Sequence, residues 1–352
     1  MVGEIAGAEA GLASGKGSNL KHQIPYEDLR DWITEAERLG ELRHINGASW
    51  QEEIGMAAEL VSHDDGAPSV LFGKVPGALK GSRVLVNIFG GRRKNMTLGF
   101  PTDLGKVALS NAFADIYHGN EKLIAPRTVE DGPIFENVML GNDINLEIFP
   151  TPHWHENDGG RYIGTGCYHI TRDPETGSIN LGSYRVMLKD KNTVAHNVLP
   201  GRHADLHLKK YTARAERMPV AIVVGGDPLT FIMGGCDIPE GVSEYDVAGG
   251  LRGKPIDVVS AKVTGLPIPA NAEIVIEGYV DADRMEPEGP FGDWTGTYTE
   301  KGRVNPVIDV EAVYYRNDPI LLGFAPQRLP DEYSRFRAIV RSPFLKKDLE
   351  AA

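Results

Sequence analysis

Two acidic residues, Glu288 and Asp293, stand five positions apart in the segment EGPFGDWTGTY, residues 288–298. A surface turn uses glycine and proline, but it has no need for two carboxylates on either side of a phenylalanine. Carboxyl groups at one site can share a proton, because the charge of one, and an apolar ring such as Phe291 or Trp294, raises the pKa of the other. The segment is therefore a candidate acid–base pair, with solvated loop acids as the alternative.

A second candidate group lies in NLGSYRVML, residues 180–188, which the pattern predicts to be a strand. Asn180 and Arg185 are an odd number of positions apart, so a regular strand would direct them to opposite faces. A β-bulge near Gly182 would bring both to one face. An arginine inside a β-rich interior needs an anion, so Arg185 is either an anion-binding residue or an ordinary surface residue of the strand.

Histidines follow at His203 and His207, four positions apart at the predicted start of a helix. This spacing allows two imidazoles to bind one metal ion, although the HExxH pattern is absent. Two histidines on an outer helix face are the alternative, and the helix N-terminus would by itself favour a phosphate. Further on, Ser243 is predicted to cap a helix that places Glu244 in its first turn. Glu244 there is either a ligand or a simple complement to the helix dipole.

Two other charged groups are predicted to be exposed. Glu273 and Glu277 share one face of a predicted strand, and we interpret them as solvent-facing acids. The segment GGRRKNMTLGFP, residues 90–101, is interpreted as a solvated basic turn, because it matches neither GxxxxGK[ST] nor GxGxxG. Catalysis by a Ser-His-Asp triad has no support from a GxSxG motif.

Composition restricts the class of protein. The 352 residues predict two or three domains, and the net charge of −12 argues against nucleic-acid binding or an anionic membrane surface. No apolar run is long enough to span a membrane, and residues 1–22 are predicted to be a mobile tail rather than a secretion signal. The two cysteines lack a CxxC arrangement, which favours a reducing cytoplasm.

The predicted secondary structure that must position these residues changes along the chain, from alternating helices and strands to closely spaced strands. Up to about residue 120 the pattern predicts helices at 25–42, 51–63 and 101–116, which alternate with strands at 69–72 and 82–90. Thr102 or Asp103 is predicted to cap the third helix. Closely spaced antiparallel strands then predict a sandwich or barrel. These strands are expected at 161–173, 178–190, 192–199, 220–226, 256–265, 272–280 and 305–316, with a hairpin loop at 173–177 and a helix at 203–219.

Four segments in this order, NLGSYR, GRH, GVSEYDVAGGLRG and PEGPFGDWTGTY, resemble the UbiD family of reversible decarboxylases that use prenylated FMN and a divalent metal. The likeness runs from about residue 25 to the last residues. It implies a mixed α+β fold: an N-terminal α/β domain (23–122), a flavin-binding split β-barrel of the flavin-reductase type (123–320), and the start of a linker or C-terminal domain (321–352).

The resemblance also implies roles for site residues. Asn180, His203 and Glu244 would bind Mn²⁺ or Mg²⁺ together with the flavin phosphate, with K⁺ as an optional further ion. Arg185, paired with Glu288, would orient the substrate carboxylate, and Asp293 would donate the proton, which requires a raised pKa. The residues implied to contact the cofactor are Ser183, Tyr184, Arg185, Val198, Leu199, Arg202 and His203.

The implied reaction is the reversible, non-oxidative decarboxylation of an aromatic or α,β-unsaturated carboxylic acid to release CO₂. A flavin prenyltransferase would supply the cofactor, and the full-length form would be a cytoplasmic homo-oligomer. Family members usually continue into a C-terminal domain, most of which we expect this chain to lack. One alternative is therefore an impaired short form or a non-enzymatic fragment that binds a partner through an exposed apolar patch. Another is an ordinary FMN reductase, against which the Arg185, Glu288 and Asp293 set argues.

Overall fold

The computed structural model describes residues 20–119, 123–239, 241–293 and 295–351. Two predictions therefore fall on residues outside the described ranges: most of the N-terminal tail, and the ring of Trp294 beside Asp293. The helices are α1 (Leu29–Arg38), α2 (Glu53–Ser62), α3 (Arg93–Thr97), α4 (Lys106–Gly119), α5 (His203–Ala213), α6 (Pro228–Gly234), α7 (Glu244–Arg252) and α8 (Glu332–Ala351).

The strands fall into three sheets. They are β1 (Leu42–Asn46), β2 (Ser69–Gly73), β3 (Arg83–Val86), β4 (Arg127–Thr128), β5 (Asn137–Leu140), β6 (Tyr162–Gly164), β7 (Cys167–Arg172), β8 (Ile179–Gly182), β9 (Val186–Leu188), β10 (Thr193–His196), β11 (Met218–Val224), β12 (Asp257–Ser260), β13 (Pro267–Pro269), β14 (Ile274–Glu288), β15 (Arg303–Tyr315) and β16 (Ile320–Leu322). Within the described ranges, no helix is both long enough and apolar enough to cross a membrane.

The N-terminal unit is a four-stranded sheet in the order β1-β2-β3-β16, covered by helices. Its first helix, α1, begins where the Asp28 side chain accepts hydrogen bonds from two backbone N–H groups, and it buries a stripe that includes Trp32 and Ile33. The fourth strand, β16, comes from the far end of the chain and pairs in parallel with β3. The sheet is therefore completed only after the chain has passed through the second unit, and β16 crosses the domain boundary predicted at 320.

The third predicted helix begins later than expected. Helix α4 starts at Lys106, and neither Thr102 nor Asp103 caps it. The carbonyl groups of Pro101 and Leu104 instead accept hydrogen bonds from the Asn95 side chain, at 3.0 and 2.8 Å. Because the side-chain amide holds these carbonyls in a turn, regular helical geometry begins only after them.

The second unit is built on a nine-stranded sheet, all of whose pairs are antiparallel. The sheet curls into a half-barrel. The predicted hairpin at 173–177 is confirmed, since β7 pairs with β8 and Gly177 has a φ of +75°. The long strand predicted at 178–190 is interrupted, because β8 ends at Gly182 and β9 starts only at Val186. This interruption frees residues 183–185 from the ladder and lets them form a wall of the site.

The prediction that Glu273 and Glu277 are exposed is wrong, because both side chains are completely buried. Arg30 of α1 binds the Glu273 carboxylate through two hydrogen bonds, at 2.7 and 2.9 Å. Glu277 accepts hydrogen bonds from the Val263 backbone at 3.1 Å and from the Tyr314 hydroxyl. Glu273 lies just before β14 and Glu277 lies within it, and both carboxylates have partners from other parts of the chain.

We expect Glu273→Gln to lower the free energy of unfolding by about 3 kcal/mol. Breaking a buried ion pair costs roughly 3–5 kcal/mol, and the lower end applies because the Arg30 side chain keeps 32% exposure. Urea denaturation monitored by circular dichroism measures the loss. The matched control is Glu35→Gln, which removes an exposed pair with Arg38 and should change the stability by less than about 1 kcal/mol. Equal effects of the two substitutions would contradict this account.

The segment at residues 90–101 is not a solvated basic turn, so that prediction is also wrong. It contains α3, in which Arg93 is completely buried and Lys94 nearly so. Arg93 binds the Glu41 carboxylate at 2.9 Å and the Ala67 carbonyl at 2.7 Å. Lys94 binds Asp65 at 3.0 Å. Acids far away in sequence neutralise these two cations, and this makes their burial possible.

Helix α8 is held against the N-terminal unit by a buried acid at its start. The Glu332 carboxylate accepts a hydrogen bond from the Phe89 backbone N–H, and the Phe336 and Phe89 rings stack with centroids 4.0 Å apart. On the other side, the Ser110 hydroxyl of α4 donates to the Ile339 carbonyl at 2.7 Å. These contacts fix the face of α8 that borders the site described below.

The stability should depend on pH through Glu332. Burial raises the pKa of this carboxyl to about 7, against a pull downward from the Phe89 hydrogen bond and Arg93. An acid whose pKa is higher in the folded state favours folding at low pH and loses that contribution as the pH rises from about 4.5 to about 7. The neutral variant Glu332→Gln does not lose this contribution. Its free energy of unfolding, measured by urea denaturation, should therefore rise relative to that of the unaltered protein by up to about 3 kcal/mol between pH 5 and pH 8. A difference that does not vary with pH would contradict the assignment.

Candidate active site

A cleft of about 700 Å³ lies between one end of the curled sheet, helices α5 to α7, and helix α8. It brings together nearly all of the residues that the sequence predicted for the site. Those that line it are Asn180, Ser183, Tyr184, Arg185, Leu199, Arg202, His203, Glu244 and Asp293. Glu288 lies directly behind Arg185, and Val198 is the one predicted cofactor contact that the described part of the wall does not include.

Asn180 and Arg185 both reach the cleft, although a continuous strand would have separated them. The strand breaks after Gly182, where a bulge had been predicted, and residues 183–185 turn toward the cavity. Gly182 is required at this point, because a Cβ there would lie 2.4 Å from the Tyr184 ring. The interpretation of Arg185 as an ordinary surface residue of the strand is therefore wrong.

The arginine and the first acid of the opening segment form one rigid unit. The Arg185 Nε and Nη2 groups donate to the two carboxylate oxygens of Glu288, each at 2.8 Å. Glu288 is only 1% exposed and also accepts hydrogen bonds from the Tyr162 hydroxyl at 2.9 Å and the Asn305 amide at 3.3 Å. A bidentate pair with this support fixes the plane of the guanidinium. Its Nη1 group bonds to none of the described residues and is available to an anionic ligand.

Asp293 has different partners, so the two acids do not form a proton-sharing pair in this structure. Its carboxylate accepts hydrogen bonds from the Thr295 backbone N–H at 2.8 Å and from the Thr295 hydroxyl. Partial burial raises the pKa of Asp293, but the hydrogen bonds from threonine outweigh it and leave the pKa below its usual value. The raised pKa expected for Asp293 is therefore wrong for this arrangement, since these donors stabilise the charged form.

At the other end of the cleft, β8 connects the three predicted metal ligands. The His203 Nδ1 atom lies 2.9 Å from the Asn180 Oδ1 atom, and the Glu244 carboxylate accepts a hydrogen bond from the Leu181 backbone at 2.7 Å. The predicted cap is confirmed, since the Ser243 hydroxyl accepts a bond from the Tyr245 N–H at the start of α7. This cap sets Glu244 in the first turn, where it faces β8.

The three residues fit a divalent cation. Burial raises the pKa of the Glu244 carboxyl to about 7, so its charged form would be stabilised by a nearby cation. The buried Asn180 amide and Ser183 hydroxyl have no hydrogen-bond partner among the described residues. These two groups are hydrogen-bond donors, and leaving them unsatisfied is costly unless a ligand supplies an acceptor. Separately, the Asn180 and Glu244 oxygens and the His203 imidazole are ligand types that suit Mn²⁺ or Mg²⁺. Within the described residues, no group of three or more His, Cys, Asp or Glu side chains is arranged to hold a metal ion, and this set has only two such residues, His203 and Glu244, beside Asn180.

His207 does not belong to this group. Its Nδ1 atom lies 2.9 Å from the Thr171 hydroxyl, and its Nε2 atom lies 3.9 Å from the Asp173 carboxylate. The two histidines of α5 therefore face different partners, and the prediction that they bind one metal ion is not supported.

Sequence reasoning missed part of the wall. Glu300 and Arg303 form a bidentate pair at the Asp293 end of the cleft, and Asp237 binds Arg202 at 2.9 Å at the other end. Helix α8 also contributes a row of side chains at a spacing of four residues, which is one face of a helix. This row, which the spacing alone could have revealed, is Tyr333, Arg337 and Arg341.

Two family models match the chain. The model of the 3-octaprenyl-4-hydroxybenzoate carboxy-lyase Rift-related domain matches residues 127–329, and the model of the N-terminal domain of the same enzyme matches residues 33–108.

Among curated relatives, a pyrrole-2-carboxylic acid decarboxylase from Pseudomonas aeruginosa is 34% identical over 84% of this chain and 60% of its own length. A phenolic acid decarboxylase from Streptomyces sp. is 33% identical over 84% of this chain and 63% of its own length. The chain thus spans about three fifths of the length of these relatives.

Two solved structures superpose on this chain. The vanillic acid decarboxylase of Sedimentibacter hydroxybenzoicus in closed form superposes with a TM-score of 0.84 at 26% identity, covering 91% of this chain and 69% of that one. An evolved dimeric form of the UbiD-class enzyme HmfF from Pelotomaculum thermopropionicum, in complex with prFMN, gives a TM-score of 0.81 at 25% identity over 92% of this chain and 72% of that one. Since the carboxy-lyase model alone matches more than half of the sequence, the chain belongs to the UbiD family.

Proposed function

We propose that this chain is the catalytic part of a reversible decarboxylase that acts on an aromatic or α,β-unsaturated carboxylic acid. The observation that carries the proposal is the cleft itself. One end presents Arg185, held rigidly by Glu288. The other end presents Asn180, His203 and Glu244, together with a buried Asn180 amide N–H group and a buried Ser183 hydroxyl that have no partner among the described residues. The named relatives act on pyrrole-2-carboxylic and phenolic acids, and this supports a small aromatic acid as the substrate.

Prenylated FMN with Mn²⁺ or Mg²⁺, and K⁺ as an optional further ion, is the cofactor that we propose for this cleft. Asn180, His203 and Glu244 would hold the metal, and Ser183, Tyr184 and Arg202 would border the flavin. When bound, prenylated FMN supplies an electron sink for the electron pair released as the bond to the carboxyl carbon breaks. The relative HmfF was solved in complex with prFMN, which supports this assignment. A flavin prenyltransferase would deliver the cofactor, and we further propose that the curled sheet is a split barrel and that the whole protein is a homo-oligomer.

The residues of this chain have separable tasks in the proposed reaction. Arg185 binds the substrate carboxylate through its Nη1 edge, while Glu288 keeps the guanidinium in one orientation. After CO₂ leaves, Asp293 gives a proton to the carbon that carried it. Because Thr295 stabilises the Asp293 carboxylate and lowers its pKa, donation of a proton by Asp293 requires that bound cofactor and substrate offset this stabilisation.

Uptake of flavin and metal tests the cofactor assignment without requiring turnover. The purified chain, incubated with prenylated FMN and Mn²⁺, should retain flavin absorbance and about one equivalent of manganese after desalting. His203→Ala should lose both, because its imidazole would hold the metal, and the metal would help to retain the flavin. The matched control, His207→Ala on the same helix, removes a histidine that does not face the metal ligands and should retain both. No flavin and no metal in the unaltered protein would instead favour a non-enzymatic, partner-binding role.

A further inference from the structure

Helix α8 places a cation at the end of the cleft that holds the predicted metal ligands. The Arg341 Nη2 group donates a hydrogen bond to the Gly235 carbonyl at 3.0 Å, and it lies 3.8 Å from the Asp237 carboxylate. Arg341 lines the cleft together with residues of the curled sheet. Its side chain is 31% exposed, so the charge remains accessible from the cavity.

Short contacts connect this arginine to the metal ligands. Gly235 follows α6 directly, and the carbonyl of the preceding Gly234 accepts a hydrogen bond from the Ser183 N–H at 2.9 Å. A Cβ on Gly234 would lie 3.3 Å from the Ser183 hydroxyl oxygen. Arg341 also shares the Asp237 carboxylate with Arg202, which immediately precedes the predicted metal ligand His203. Arg341 therefore lies at the Glu244 end of the cleft, at the opposite end from Arg185.

The charged groups and the hydrogen-bond donors at this end of the cleft can accommodate an anion. Asp237 lies 2.9 Å from the Arg202 guanidinium and 3.8 Å from that of Arg341. With Glu244 these groups are two cations and two carboxylates, so a divalent cation bound at Glu244 would leave an excess of positive charge at this end. The buried Ser183 hydroxyl and Asn180 amide, which lack partners among the described residues, are donors for the same space. A group with several acceptor oxygens and a charge of about −2, such as a phosphate monoester, matches donors and cations of this kind.

We propose that Arg341 binds the phosphate of flavin mononucleotide, so that α8 forms part of the cofactor site. This inference rests on the proposed function, and it assigns the phosphate a ligand outside the curled sheet. It has a structural consequence, because α8 is also fixed to the N-terminal unit through Glu332 and to α4 through Ser110. Binding of the phosphate would therefore connect the N-terminal unit and the curled sheet through one helix.

The test compares FMN with riboflavin, which lacks only the phosphate. Binding of each to the full chain is measured by quenching of flavin fluorescence in the presence of Mn²⁺. The unaltered protein should bind FMN more tightly than riboflavin. Arg341→Gln should weaken FMN binding by about 10-fold, which is the lower end of the effect of losing a charge-assisted hydrogen bond, because the side chain is partly exposed. The same substitution should leave riboflavin binding within about 2-fold of the unaltered protein. Arg341→Lys should restore part of the difference, since it keeps the charge but not the fork of donors.

The matched control is Lys209→Gln, which removes one positive charge from an exposed pair on α5 outside the cleft and should leave both affinities unchanged. Equal weakening of FMN and riboflavin in Arg341→Gln, or no change in either, would overturn the assignment to the phosphate while leaving the proposed function intact. Failure of the unaltered protein to bind either flavin would overturn the proposed function and this inference together. A thermal melt of each variant confirms that the loss is not one of folding.

Discussion

Replacing Arg185 by lysine is expected to lower the decarboxylation rate of the reconstituted protein by at least about 100-fold. Lysine keeps the positive charge but cannot form two parallel bonds to Glu288 while presenting a third donor to the substrate. The substrate carboxylate would then lose its fixed orientation, and misplacement of a reacting group by about 1 Å costs on the order of 100-fold in rate. Measured turnover of an aromatic acid with bound prenylated FMN gives the ratio.

The comparison needs an arginine of the same chemistry outside the site. Arg127→Lys changes an exposed bidentate pair with Asp257 and should leave the rate within about 2-fold. Flavin content, measured by absorbance in both variants, separates loss of cofactor from loss of chemistry. A rate for Arg185→Lys close to that of the unaltered protein would show that the arginine does not position the substrate.

Asp293→Asn is expected to lower turnover by about 100-fold to 10,000-fold, the usual contribution of a general acid. Asparagine keeps the size of the side chain and can still accept from Thr295, but it has no proton to deliver. The loss should fall on kcat rather than on substrate affinity, because the carboxylate is bound at Arg185 and not at Asp293. Steady-state kinetics with a single aromatic acid make this distinction.

A second acid in the cleft provides the matched control. Glu300 lies in the same part of the wall, but it is paired with Arg303, and this pairing lowers its pKa. Glu300→Gln should therefore retain most of the activity. If Glu300→Gln loses activity while Asp293→Asn keeps it, the proton donor has been assigned to the wrong acid.

The sequence predicted the composition of the site better than its electrostatics. The resemblance to the family, carried by the order of four motifs, was enough to bring Asn180, Arg185, His203 and Glu244 together, and all four line one cleft. Strand period alone would have directed Asn180 and Arg185 to opposite faces. The state of Asp293 could not be predicted in the same way. Its pKa depends on how Thr295 turns back onto it, and the motif does not specify that geometry.

The buried charges show a second limit. Arg93 and Glu273 look like surface residues because their partners, Glu41 and Arg30, stand 52 and 243 positions away in the chain. Local patterning favours an exposed charge whenever no counter-charge is nearby in sequence. Only the tertiary fold supplies the counter-charge and makes burial favourable.

Long-range topology explains what else was missed. Strand β16 completes the first sheet from beyond the second unit, which no local signal predicts. Arg341 reaches the cleft because α8 packs back across it, although the helical spacing of Tyr333, Arg337 and Arg341 was visible in the sequence. A shared face can be derived from spacing, but the element against which that face packs cannot.

The central claim is that the chain is a decarboxylase in which Asp293 transfers the proton. Exchange of a ring hydrogen of the small aromatic compound for deuterium tests it most directly. The chain, reconstituted with prenylated FMN and Mn²⁺, is incubated in D₂O with CO₂ and a panel of aromatic compounds such as pyrrole and simple phenols, the decarboxylated forms of the acids named for the relatives. We predict that the unaltered protein incorporates deuterium at the ring carbon that would carry the carboxylate. The Asp293→Asn variant should not catalyse this incorporation. Exchange that persists in Asp293→Asn, or no exchange from a protein shown to hold both flavin and metal, would contradict the account.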